Sequence, residues 1–194
     1  MGTVVEIRPR AREEFTQSLG MLVFLASWGM MFAGLFFAYG FARSKAIVWP
    51  PPGAPPLPVA LPALNTAVLL GSSLSFSRGL AALRRGQRGV FRASVGVTFA
   101  LGAVFLALQL LLWQRVAAAG LGAADGSYGA VFYAFTSFHA LHVLVGLGVV
   151  LWIFVRAMRG AYTEHNLGNV RVSAMFWHFV DVVWVLMFLT IYVF

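Results

Sequence analysis

Of the 194 residues, 60% are hydrophobic and 10% charged, against roughly 25% charged in a soluble domain, so the composition is that of a membrane protein. Cysteine is absent, which excludes disulfides, thiolate metal sites and a cysteine nucleophile. The net charge of +8 would suit nucleic acid, but the basic residues lie between apolar spans, and nucleic acid is not an expected partner.

Residues 1 to 16 read as a polar, amphiphilic lead-in. No apolar stretch with a small-residue cleavage site occurs in MGTVVEIRPRAREEF, so no cleaved signal peptide is expected. A first span over about 19–41 is long enough to cross roughly 30 Å of hydrocarbon. Its Gly29, Gly34 and Gly40 suit close approach of another helix, and Trp28 reads as a packing residue. Six prolines between Pro50 and Pro58 then exclude a helix and predict a stiff, extended surface loop. The second span, about 62–83, opens on Pro62, where a missing N–H costs least. On it Asn65 and Ser72 share a face, with Ser75 further round, as groups that hydrogen-bond between membrane helices. Arg84, Arg85, Arg88 and Arg92 mark a short connection to a third span over about 90–113, in which Gln109 is the strong polar group. A Gly/Ala-rich linker containing Asp125 and Gly126 leads into a fourth span of about 128–155, and a fifth covers about 172–194. The expected fold is therefore all-α, an integral membrane bundle of five transmembrane helices forming one domain over 17–194.

Lysine and arginine positions predict the orientation. The amino-terminal segment, the second-to-third connection and the fourth-to-fifth connection together carry eleven; the opposite side carries Arg43, Lys45 and Arg115. The amino terminus is expected in the cytoplasm and Phe194 outside. Such a basic face also favours anionic lipid headgroups.

Two stretches carry ionisable groups at depth. In FWHFVDVVW, from Phe176 to Trp184, a turn of about 100° per residue puts Trp177, Asp181 and Trp184 on one side, with His178 close by. An ionised carboxylate at bilayer depth is costly, so Asp181 should face protein and take a donor, with His178 the local candidate. Removing Asp181 should then strand that donor at about 1–3 kcal/mol. In FYAFTSFHALHVLVG, Thr136, His139 and His142 fall on one face of the fourth helix. These residues form either a buried polar cluster tying the fourth and fifth helices together or a proton, metal or haem site using the histidines. The aromatic residues around them favour the cluster. No glycine-flanked nucleophile stands near a histidine and an acid, so no hydrolase triad is expected, and no catalytic residue is assigned.

The motifs TSFHALHVLVG, FWHFVDVVW with the following IYVF, the early WPPPG, LNTAVLLGSS and DGSYG together resemble subunit III of the haem–copper oxidases, in its five-helix bacterial form. The resemblance covers most of residues 19 to 194. It implies a non-catalytic companion in the bacterial cytoplasmic membrane that binds no haem, copper or other metal itself. Such a companion docks directly on subunit I, alongside subunit II. In that family the subunit supports stability and proton uptake and holds phospholipid in a cleft between helices one and two and the remaining bundle. The positions that match by motif are Asn65, Thr136, His139, His142, His178, Asp181 and Trp184. Asn65 and Arg171 are the expected lipid or interface positions, and the remaining six the structural polar cluster. Two departures stand out. Many family members carry a glutamate on the first of these helices where this chain has Ser27 and Trp28, and Arg171 stands where a glutamate is common. A related companion of a nitric oxide reductase and a haem-bearing electron carrier are the alternative readings.

Overall fold

A computed structural model describes residues 9–164 and 166–193, with side chains from residue 15 onward. Five long helices follow one another: α1 (Pro9–Lys45), α2 (Ala60–Arg84), α3 (Arg88–Ala118), α4 (Gly126–Met158) and α5 (Gly168–Phe188), which runs on into a π-helical turn (Leu189–Val193). All five are long and apolar enough to cross a membrane, as the sequence predicts. The chain is thus a multi-pass membrane protein. The first helix starts within the expected lead-in, at Pro9.

The helix ends follow from local chemistry. Gly86 adopts φ +73°, a left-handed conformation that costs glycine little. It lets the Gly86 and Gln87 N–H groups turn back onto the carbonyls of Leu83 (3.0 Å) and Ala82 (2.9 Å), satisfying the last turn of α2. The same pattern closes α3 at Gly120 and α4 at Gly160. The proline-rich stretch leaves the helix after Lys45 as expected, but it is anchored: Trp49 packs edge-on against Tyr39 (5.6 Å between centroids) and Tyr128 (5.0 Å).

The α2–α3 hairpin is the closest pair, because α3 Ser94 stands where a Cβ on α2 Gly79 would be, 2.9 Å away. Helix α5 packs against α1, α2 and α4, while α1 lies on α4 and α5. Helices one and two therefore do not form a pair set apart from the bundle. Helix α2 is committed instead to α3 and α5.

The centre of the bundle is Trp177, 1% exposed. A Cβ added to Gly102 of α3 would stand 2.8 Å from its ring, and one on Gly146 of α4 3.1 Å away. Two glycines thus open the slot that a single indole fills. Gly102→Ala should force the rigid ring out of place and destabilise the bundle by about 1–3 kcal/mol. Gly148→Ala, where nothing lies within 4 Å, should be neutral or slightly stabilising. Thermal unfolding of the two variants in detergent measures the difference.

Candidate functional site

The polar side chains inside the bundle are organised around α2, which the motif stretches of α4 and α5 alone did not reveal. Trp177 Nε1 donates to Ser72 Oγ at 3.0 Å, and Trp184 Nε1 donates to Thr66 Oγ1 at 2.9 Å. Both hydroxyls donate in turn to carbonyls of their own helix, Ser72 to Leu69 (2.7 Å) and Thr66 to Pro62 (2.8 Å). On the other side of the core, Trp113 Nε1 donates to Thr136 Oγ1 at 2.9 Å while Thr136 donates to the Phe132 carbonyl at 2.8 Å.

The expected single cluster of Thr136, His139, His142, His178 and Asp181 is divided into four environments. Thr136 joins α4 to α3 through Trp113. His139 is fully buried between Phe105 of α3 and Trp184 of α5, with centroids at 5.7 and 5.1 Å. His142 turns toward α1: its Nδ1 lies 2.5 Å from the Phe138 carbonyl, and its ring meets Trp28 (3.9 Å) and Phe32 (5.1 Å) edge to face. His178 faces α2, where Ser73 Oγ contacts Nδ1 and Ser77 Oγ lies 3.1 Å from Nε2. Helices four and five are thus joined by packing around Trp177 and Trp184, not by a histidine–aspartate network.

Asp181 faces protein beside His178, as expected. Its Oδ2 is 3.9 Å from His178 Nδ1, beyond hydrogen-bonding reach, because two serines already hold both imidazole nitrogens. Both carboxylate oxygens are buried without a hydrogen-bond partner. Asn65 is 1% exposed, and its Nδ2 reaches Gln109 Oε1 at 3.5 Å, the bond between helices that the sequence leads one to expect, here from α2 to α3. Arg171 is exposed in the first turn of α5. Among the described residues no group of three or more His, Cys, Asp or Glu side chains is placed to hold a metal ion.

A sequence profile of the family described as cytochrome c oxidase subunit III matches residues 13–194. The chain belongs to that family. Proteins named cytochrome c oxidase subunit 3 resemble it along most of its length. That of Synechocystis sp. is 35% identical over 174 residues, 89% of this chain and 73% of its own length. That of Thermostichus vulcanus is 33% identical over 193 residues, 99% of this chain and 94% of its own. That of Loxodonta africana is 35% identical over 179 residues, 89% of this chain and 67% of its own. The chain is accordingly a subunit III of a haem–copper terminal oxidase and part of a multi-subunit complex. The nitric oxide reductase and haem-carrier readings are not favoured.

For this subunit III, the residues that sequence reasoning passed over are Thr66, Ser73, Ser77 and Gly102. Ser73 and Ser77 stand one turn apart in an apolar helix, a spacing that puts two hydroxyls on one face and was a usable signal for a partner across the interface. Their bonds to His178 set a test. Ser73→Ala and Ser77→Ala should each cost about 0.6 kcal/mol, the average for such bonds in membrane proteins. The losses should vanish in a His178→Phe background when unfolding in detergent is followed as a double-mutant cycle.

Proposed function

We propose that this chain acts as a non-catalytic subunit III, seated on subunit I of a bacterial terminal oxidase and supporting its stability, lipid packing and proton uptake. The observation that carries the reading is the use made of the polar groups in the spans. Ser72, Thr66 and Thr136 take indole N–H groups, Asn65 takes Gln109, and His178 takes two serines. These are joints between helices, and His139 is sealed beneath aromatic rings. The redox centres, haem and copper, belong in this reading to partner subunits. Proton-uptake support does not run through a carboxylate in the part of α1 after Glu14, because no acidic residue occurs between Glu14 and Asp125. With eleven basic residues on one side and three on the other, the amino terminus lies in the cytoplasm and the carboxy terminus in the periplasm.

An affinity tag on this chain should bring down the oxidase subunits, and the isolated chain should show no Soret band. The complex stripped of the chain should keep its haem spectrum while its oxygen consumption decays faster during turnover. Unchanged decay would remove the supporting role, and a reporter fused after Phe194 that reads as cytoplasmic would reverse the orientation. A lipid-soluble carbodiimide, which attacks buried protonated carboxyls, should leave residues 17–120 unmodified.

A further inference from the structure

At the end of α3 that leads toward α4, a pocket of about 210 Å3 lies between residues 55–58 and the last turn of the helix, where Arg115, Val116 and Ala119 line it. The fold builds its walls. Leu57 packs onto the apolar cluster that holds Leu112 and Val116, which fixes the proline-rich segment against α3. Pro55, Pro56 and Pro58 have no N–H to donate. The carbonyls of Arg115, Val116 and Ala117, which would repel an anion, already accept the N–H groups of Ala119, Leu121 and Gly120. Of the side chains that line the pocket, Arg115 alone is polar, and it is exposed.

A guanidinium at a membrane surface is stabilised by a counter-ion. At the opposite end of α3, Arg88 has Glu164 at 3.8 Å. Among the described residues Arg115 makes no ion pair, and Asp125, the carboxylate nearest to it in sequence, accepts the Gly122 N–H. The membrane supplies what the chain does not. Helix α3 has 31 residues, about 46 Å at 1.5 Å each, whereas a bilayer with its headgroups is about 40–45 Å thick. Arg115 stands three residues before the helix ends at Ala118, so it lies at the level of the phosphates and not of the acyl chains.

We propose that this pocket binds one phosphate group, held by the Arg115 guanidinium against the proline wall. The planar fork of N–H groups matches two phosphate oxygens at once. Because Leu57 and the prolines set the wall in advance, little ordering opposes binding. The phosphate is that of a phospholipid headgroup or a free phosphate ion, since the recognising chemistry is the same for both. The site belongs to the loop and the end of α3, apart from any cleft between helices. It needs only the reading of the chain as membrane-spanning, and it holds whichever side of the membrane the pocket faces.

The test is equilibrium binding to the detergent-purified, delipidated complex that contains this chain, with a short-chain phosphatidylglycerol and inorganic phosphate as separate probes. One of them should bind at one site per chain, and which one does so identifies the source of the phosphate. Arg115→Gln should weaken that binding about tenfold or more, the loss expected when a charge-assisted hydrogen bond is removed. Ala119→Trp, which keeps the charge and fills the pocket, should weaken it as much, while Lys45→Gln, an exposed cation outside the pocket, should leave it unchanged. Equal weakening by Lys45→Gln would reduce the effect to surface charge and overturn the proposal. So would binding that survives Arg115→Gln, or binding lost in Arg115→Gln and kept in Ala119→Trp. If Ala119→Trp fails to accumulate, Pro56→Trp fills the pocket from the other wall and takes its place. A chain that purifies without oxidase subunits sinks the family-based role, and the same titration on that chain still decides the pocket.

Discussion

The bundle depends on one repeated interaction, an indole N–H donated to a hydroxyl that is itself bonded back to its own helix. An indole nitrogen is only a donor, and burying it without an acceptor costs about 1–3 kcal/mol. A serine or threonine that has given its hydrogen to a carbonyl three or four residues back still has lone pairs directed outward. Ser72, Thr66 and Thr136 all act in this way toward Trp177, Trp184 and Trp113. Hydrocarbon provides no hydrophobic force to press helices together, so such directional bonds and close packing set which faces meet. Between Trp177 and Trp184 α5 advances seven residues while α2 runs back six, from Ser72 to Thr66. Two bonds therefore fix the register of an antiparallel pair. They also carry Ser73 and Ser77 to His178, which fits the same register.

Around that frame, space is as selective as hydrogen bonding. Trp177 reaches Ser72 only because Gly102 and Gly146 leave room for its ring. One side chain of α5 thereby touches α2, α3 and α4, and a change on any of the three is felt at the same place. Helix α1 is held differently. Its contacts are aromatic, Trp28 and Phe32 on His142, Phe36 and Tyr39 on Phe135, and Phe24 on Phe176. Edge-to-face pairs add roughly 0.5–1.5 kcal/mol each beyond the area they bury. The first helix is thus docked by rings onto a four-helix core fixed by hydrogen bonds.

The five spans were legible because an unbroken apolar run of membrane length has no competing reading, and the proline run between the first two admits no helix. Motif spacing also singled out side chains that lie inside the bundle, among them His139, His142 and Asp181. Their partners were not legible. A helical wheel places Asp181 near His178 and His139 near His142, but it cannot say which neighbouring helix each faces. His178 hydrogen-bonds to Ser73 and Ser77 of α2, more than a hundred residues earlier in the chain. Asn65 went inward for the same reason: its partner Gln109 lies on a helix packed against its own. Local geometry offered the nearest polar group, and tertiary packing chose a farther one with free lone pairs or hydrogens.

The exchange of a carboxylate for an indole on α1 follows the same logic one step further. Where many family members place a glutamate, Ser27 donates to the Val23 carbonyl (3.0 Å) and closes on its own helix. Trp28 lies against the edge of His142 at 3.9 Å. An acid at that point would have to be protonated or paired to sit in hydrocarbon, whereas an indole carries no charge and covers the imidazole with apolar surface. The contact between α1 and α4 is accordingly one of shape, with no carboxylate to protonate. The polar atoms left without a hydrogen-bond partner are spread through the bundle, on His139, His142 and Gln109 as well as on Asp181. Asp181 shares that condition with His139, whose two ring nitrogens are buried without a hydrogen-bond partner beneath Phe105 and Trp184.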